Sequence, residues 1–273
     1  MTVHETAIGR IEMLRTGTGG NAAILLHAAA SGPRALFKLG ASLTGEGSGW
    51  EASLPALDGY GGTRLRDARA DDPFAAHVQI AHWALDEIGR ERPNGRRVLI
   101  GHSMGGMLGM LLASRPNTPI RSLVLNDVGT VIPKTAMARI GTYVGKDPRF
   151  KSSQEAVVYV RMLITPFGPH TDAQWRHLTA HNIKQHDDGS WGVNYDPGIA
   201  LPFRKALTDD IVLWNYYDAV RCPTLLLRGA QSDLLQKNIA LQMTQRGPQP
   251  ELVEFEGIGH APTLMANAVI LYD

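Results

Sequence analysis

The segment that most restricts this chain is Gly101-His102-Ser103-Met104-Gly105, a Gly-x-Ser-x-Gly. It lies between the apolar run Val98-Leu99-Ile100, which reads as a short buried strand, and the small-residue stretch Gly105 to Ala113, which reads as a helix. A strand that turns this sharply into a helix forces its central residue into a strained conformation. Neighbouring backbone then crowds any Cβ two positions to either side, so both flanks must be glycine. The turn leaves Ser103 exposed and aims the Met104 amide, with the helix N-terminus behind it, at the point where negative charge would develop.

The remaining pattern repeats the same alternation. Strands are expected at Ile8 to Arg15, Ala22 to Leu26, Trp50 to Leu57, Ile120 to Leu125, Thr224 to Leu227 and Leu252 to Phe255. Helices are expected at Ala35 to Thr44, Phe74 to Glu91 (between Pro73 and Pro93) and Leu235 to Gln245. In Phe74 to Glu91, Val78, Ile80, Ala81, Ala84, Leu85 and Ile88 recur at spacings of three and four, the mark of an amphipathic helix. Strands alternating with helices imply an α/β fold with a mostly parallel sheet covered on both faces. Residues 130–213 break the rhythm. They read as helical around Gln154 to Ile164 and Asp172 to Lys184, turn at Asp187-Asp188-Gly189, and carry no strand of the buried core type. They are expected to be a lid inserted into a core made of residues 1–129 and 214–273, at the carboxyl ends of the strands where open sheets place ligands.

Composition narrows the partners. At 273 residues the chain can bury a full core, and 44% hydrophobic residues rule out disorder as its main state. The net charge of +1, with scattered Lys and Arg, gives no footprint for nucleic acid or an anionic membrane. A small neutral molecule is the expected partner. Cys222 is the sole cysteine, which excludes internal disulfides and Cys-rich zinc sites. The N-terminus MTVHETAIGR lacks the pattern of a secretory signal and no run reaches the length of a membrane span, so a cytoplasmic protein is expected. Gly17, Gly19 and Ala22 imitate a dinucleotide loop, but a strand rather than a helix follows them, so no such cofactor is expected. His177, His181 and His186 form a loose cluster, with His177 and His181 on one helix face. No Glu stands between them as in a zinc-binding His-Glu-x-x-His, and no metal is expected.

Taken with its strand and helix context, the Gly-x-Ser-x-Gly resembles the nucleophile elbow of the α/β-hydrolase family, and the resemblance runs over nearly the whole chain. In that family the partners follow in the order serine, acid, histidine. The resemblance implies Ser103 as nucleophile, His260 after the strand Leu252 to Phe255 as the base, and Asp233, in Arg228-Gly229-Ala230-Gln231-Ser232-Asp233, as the acid. Asp127, directly after Ile120 to Leu125, stands at the other place where the family puts its acid. Asp233 is preferred, because its loop matches the usual acid loop in length and in its early glycine. The family's first βα loop usually begins His-Gly; here it reads His27-Ala28-Ala29, so the oxyanion hole is assigned to the amides of Ala29 and Met104, with Ala30 as the alternative to Ala29. The turn Asp58-Gly59-Tyr60-Gly61 matches another loop near the site mouth.

The implied function is a lidded serine hydrolase, carboxylesterase-like, cleaving small, largely apolar carboxylic esters through an acyl-enzyme, without cofactor or metal. A carbon–carbon bond hydrolase with the same triad is the alternative, with Arg139, Arg161 or Arg204 to meet a substrate carboxylate; a weakly hydrolytic ligand receptor is a further one. Tyr143, Tyr159, Met162, Phe167, Trp175, Trp191, Phe203 and Trp214 are expected to bury the lid, and a few of them to line an apolar cleft. Only Ala261 to Asp273 follow His260, where the family usually closes with a longer helix. Leu264, Met265, Ala268, Val269 and Leu271 suggest that helix's apolar face. The natural substrate and the oligomeric state stay open at this level.

Overall fold

The computed structural model describes residues 1–66, 73–200 and 209–264. Its centre is a nine-stranded sheet of order β1-β2-β4-β3-β6-β7-β12-β13, with β5 pairing on β2. The strands are β1 (Thr2–Thr6), β2 (Gly9–Gly17), β3 (Asn21–Leu26), β4 (Trp50–Pro55), β5 (Arg64–Leu65), β6 (Arg97–His102), β7 (Ser122–Asn126), β12 (Thr224–Gly229) and β13 (Glu251–Phe255). From β4 to β13 every neighbouring pair is parallel, whereas β1, β2 and β5 form an antiparallel flank.

Alternation along the parallel strands explains both layers. Successive side chains point to opposite faces. In β3, Ile24 and Leu26 join one buried cluster with Leu99, Leu125, Ile80, Ile88 and Leu108, whereas Ala23 and Leu25 join another with Leu54, Ile100, Val124, Leu36 and Leu39. The first cluster is covered by helices α2 (Pro73–Glu91) and α3 (Met104–Ala113), the second by α1 (Phe37–Leu43). Each fully buried Leu or Ile contributes roughly 1.5–3 kcal/mol relative to exposure, so both faces of the sheet stabilise the fold.

The expected strands and the α2 helix lie where the sequence places them, within a few residues. The sequence reading missed the opening strand β1, whose hairpin with β2 presents an exposed, weakly patterned face. It also ran Asp172 to Lys184 together as helix. The structure ends α6 at Ala180 (Asp172–Ala180) and uses Ile183–Gln185 as β9, paired with β10 (Trp191–Val193) around the Asp187-Asp188-Gly189 turn. Between β7 and β12 the chain further forms β8 (Val131–Ile132), α4 (Lys134–Gly141), α5 (Ser153–Ile164) and β11 (Ile211–Val212), with β11 pairing β8. Met265, Ala268, Val269 and Leu271, named for a closing helix, lie outside the described residues, as do Phe203 and Arg204. Among the described residues no helix is long and apolar enough to cross a membrane.

Candidate active site

Ser103 sits between β6 and α3 with φ 52° and ψ −114°, left-handed backbone that a non-glycine residue adopts only at a cost. The glycines around it are there for space. A Cβ on Gly101 would lie 2.4 Å from the Gly105 carbonyl oxygen, and one on Gly105 would lie 2.0 Å from that of Leu26. Three backbone bonds hold the turn: Ser103 donates its N–H to the Asn126 carbonyl at 3.0 Å, and the Ser103 carbonyl accepts from Gly106 at 2.8 Å and from Met107 at 3.2 Å.

Sheet register then decides which acid is nearby. In the β6–β7 pair His102 lies opposite Asn126, so the next residues, Ser103 and Asp127, leave the same edge side by side. Asp127 also has positive φ, 53°, and is fully buried. Its Oδ2 accepts the Nδ1–H of His260 at 2.6 Å and the hydroxyl of Ser232 at 2.6 Å, while its Oδ1 accepts the Gly229 N–H at 2.9 Å. On its other side the His260 ring meets Ser103, with Nε2 to Oγ at 3.0 Å. The three side chains therefore form one buried hydrogen-bonded chain, Ser103–His260–Asp127, so Ser103 is not exposed as the sharp turn alone predicts but covered.

The expectation for Asp233 is corrected here. Its carboxylate is about half exposed and takes a bidentate pair of bonds from Arg139, at 2.6 and 2.8 Å, not one from His260. The reason lies in the loop after β12. That loop turns back at once, with the Ser232 N–H bonded to the Gly229 carbonyl at 2.9 Å. The turn directs Ser232 inward, onto Asp127, and its neighbour Asp233 outward. Arg139, one candidate for a substrate carboxylate, is thereby occupied, and Arg161 lies over the Trp175 ring at 4.9 Å.

Ala29 and Met104 are both buried. The Ala29 carbonyl accepts from the Tyr60 hydroxyl, which fixes the Ala29–Ala30 peptide plane and with it the direction of the Ala30 amide. None of residues 27–31 has positive φ, so alanine in place of the family's usual glycine at position 28 meets no backbone penalty. Met104 opens α3, and its amide has no intrahelical acceptor. His27 is a structural residue. Its Nδ1 bonds the Ala28 carbonyl at 2.9 Å while its Nε2 accepts from the Leu57 amide at 3.0 Å. Burial pushes its pKa down to about 4, so it stays neutral as that accepting nitrogen requires.

The segment after β7 meets the His260 loop at the turn around Pro166 and Phe167. Pro166 lends its carbonyl to the Gly259 amide at 2.8 Å, and the Phe167 ring stands edge-on to His260 with centroids 6.4 Å apart. Among the described aromatic residues named from the sequence, Phe167 is the one whose ring meets the His260 imidazole. His177 on α6 and His181, which caps that helix's C-terminus, have ring centroids 5.1 Å apart. Among the described residues no group of three or more His, Cys, Asp or Glu side chains gathers to hold a metal ion.

Sequence reasoning missed Ser232 and Asn126, and it placed Tyr60 in a turn near the site mouth without its bond to Ala29. Each acts through a neighbour in space that only the sheet register or a loop turn supplies. The one available signal was Asn126-Asp127 standing directly at a strand end, level with the elbow.

Comparison with known proteins agrees with this geometry. Residues 23–270 match the model of the alpha/beta hydrolase family. A 3-hydroxybutyrate-oligomer hydrolase of Cupriavidus necator is 44% identical over 178 residues, covering 62% of this chain and 61% of that protein, so the match spans less than two thirds of its length. Esterase Rv0045c of Mycobacterium tuberculosis is 25% identical over 89% of this chain and 78% of its own. Among solved structures, an alpha/beta hydrolase from Novosphingobium aromaticivorans superposes with a TM-score of 0.82 at 28% identity, covering 97% of this chain and 93% of that one. With the elbow, the parallel sheet and a family match over most of its length, this chain belongs to the alpha/beta hydrolase family.

Proposed function

We propose that this protein is a serine hydrolase of small carboxylic esters, with Ser103 as nucleophile, His260 as general base and acid, and Asp127 as the acid that orients His260. The observation that carries the proposal is the hydrogen-bonded chain from Ser103 Oγ through His260 to Asp127. A serine hydroxyl is a weak nucleophile by itself. His260 Nε2 takes its proton as Oγ attacks the ester carbonyl, and Asp127 stabilises the imidazolium so formed. The oxyanion is held by the amides of Ala29 and Met104, which meet the charge where it develops. His260 then protonates the leaving alcohol, an acyl group remains on Ser103, and water activated by the same imidazole releases the acid.

The segment 130–213 serves as the lid of this site, reaching His260 through Pro166 and Phe167. For the acyl group, the relative named for 3-hydroxybutyrate oligomers supports a short 3-hydroxyacyl ester. A net charge of +1 suits a small substrate better than a polyanion.

The test is a series of p-nitrophenyl esters from acetate to palmitate, run beside the 3-hydroxybutyrate dimer and trimer. The expected result is a p-nitrophenol burst followed by steady turnover, kcat/KM falling for long chains, and hydrolysis of the oligomers. A maximum at palmitate would overturn the small-ester reading; cleavage of short esters with inert oligomers would overturn the 3-hydroxyacyl assignment alone.

A further inference from the structure

Asn126 is the last residue of β7 and is fully buried. It is bonded toward every member of the triad without touching the reacting atoms. Its own carbonyl accepts the Ser103 N–H at 3.0 Å, and Asp127 follows it in the chain. Its side-chain Nδ2 donates to the carbonyl of Pro262, two residues past His260, at 2.8 Å, and meets Nδ1 of His102, the residue before Ser103, at 2.9 Å.

The direction of these bonds follows from chemistry. The Pro262 carbonyl can only accept, so the amide must turn its NH2 toward it. The second hydrogen of that NH2 then points at His102 Nδ1, which must offer its lone pair. The His102 proton is therefore on Nε2. The two imidazoles are close, with ring centroids of His102 and His260 6.5 Å apart.

We infer that Asn126 is a positioning residue of this hydrolase: one amide ties the loop of the base to the strand of the nucleophile and locks His102 in its Nε2–H form. The inference rests on the serine-hydrolase reading above. Burial, with His260 and His27 as the titratable groups acting on it, pushes the His102 pKa down to about 3. The ring thus stays neutral and adds no second cation beside the imidazolium that His260 becomes during turnover. Misplacing a catalytic group by about 1 Å can cost on the order of a hundredfold, and the Pro262 bond prevents such drift in the His260 loop.

The test uses Asn126→Leu, which keeps the volume and removes both donors, and Asn126→Asp, which keeps the shape but cannot donate to Pro262 and draws a proton onto His102. Activity is expressed per site titrated with a fluorophosphonate, so that unfolded protein does not count. The expected result for Asn126→Leu is a kcat lower by roughly 10- to 100-fold with KM within about threefold. Asn126→Asp should add a second ionisation to the acidic limb of kcat/KM. In the wild-type protein, ¹⁵N shifts should show His102 as the Nε2–H tautomer, still neutral near pH 5. A purely structural role would lower thermal stability but leave kcat per titrated site and the pH profile unchanged; that result overturns the inference. So does a His102 proton on Nδ1 in the wild type, a measurement that holds even if neither variant folds. Failure of the hydrolase reading is separate: Ser103→Ala would then keep its turnover, whatever Asn126 does.

Discussion

Replacing Asp127 by asparagine tests the triad through the group that three donors share. The carboxylate accepts from His260 Nδ1, the Ser232 hydroxyl and the Gly229 amide, at 2.6, 2.6 and 2.9 Å, in a fully buried position. An asparagine offers one oxygen and one NH2 for these places. If the oxygen stays on Gly229, the NH2 faces His260. The imidazole must then accept at Nδ1 and carry its proton on Nε2, so it can no longer take the proton of Ser103. If the oxygen faces His260 instead, the Gly229 N–H meets another donor. That buried group goes unpaired at a cost of about 1–3 kcal/mol, and the charge that stabilises the imidazolium is lost as well. The first arrangement is favoured, and a triad with the wrong tautomer loses roughly 10⁴ in kcat. The assay is steady-state hydrolysis of p-nitrophenyl butyrate, with circular dichroism to show that the variant is folded. We expect a kcat loss of about 10³- to 10⁴-fold and KM within a few-fold. A loss below tenfold in a folded variant would refute the argument that Asp127 holds His260.

Three other expectations follow from the same geometry. Asp233→Asn and Arg139→Ala break an ion pair whose partners are 48% and 40% exposed; each should change stability by less than about 1 kcal/mol and activity by less than about tenfold, as melting curves and kcat would read. Gly105→Ala drives a Cβ to 2.0 Å from the Leu26 carbonyl oxygen, backbone that cannot give way, so chemical denaturation should show a loss of about 3 kcal/mol or no soluble protein. His27 and His77, pushed down to about 4, and His102, to about 3, bind fewer protons folded than unfolded. Their contribution to stability is complete above the unfolded value near 6.5 and is lost as pH falls toward about 4, so Tm should decline over that window; a Tm flat from pH 7 to pH 4 would contradict it.

The sequence made some of this legible and left some out, for identifiable reasons. The elbow was readable because its constraint is local: a strained serine with a glycine two positions to each side states its geometry within five residues. The parallel strands were readable because two-sided burial leaves runs such as Val98-Leu99-Ile100 with no polar face. The acid was not, because its choice depends on register. His102 opposite Asn126 sets Ser103 beside Asp127, and the tight turn at Gly229 to Ser232 sends Asp233 outward, neither of which a linear pattern encodes. The aspartate loop was recognised, but what it supplies is the Ser232 hydroxyl and the Gly229 amide that hold Asp127. The short strands β9 and β10 escaped because three residues are too few to show a period.

The central claim, that Ser103 carries the acyl group, is tested most directly by trapping it. The protein is mixed briefly with p-nitrophenyl butyrate, quenched in acid, digested and analysed by mass spectrometry. The account predicts one butyryl group per chain, on the peptide containing Gly101-His102-Ser103-Met104-Gly105 and on Ser103 within it, with more of it accumulating in Asp127→Asn if deacylation slows further than acylation. A butyryl group on another residue, or full turnover by Ser103→Ala, would contradict it.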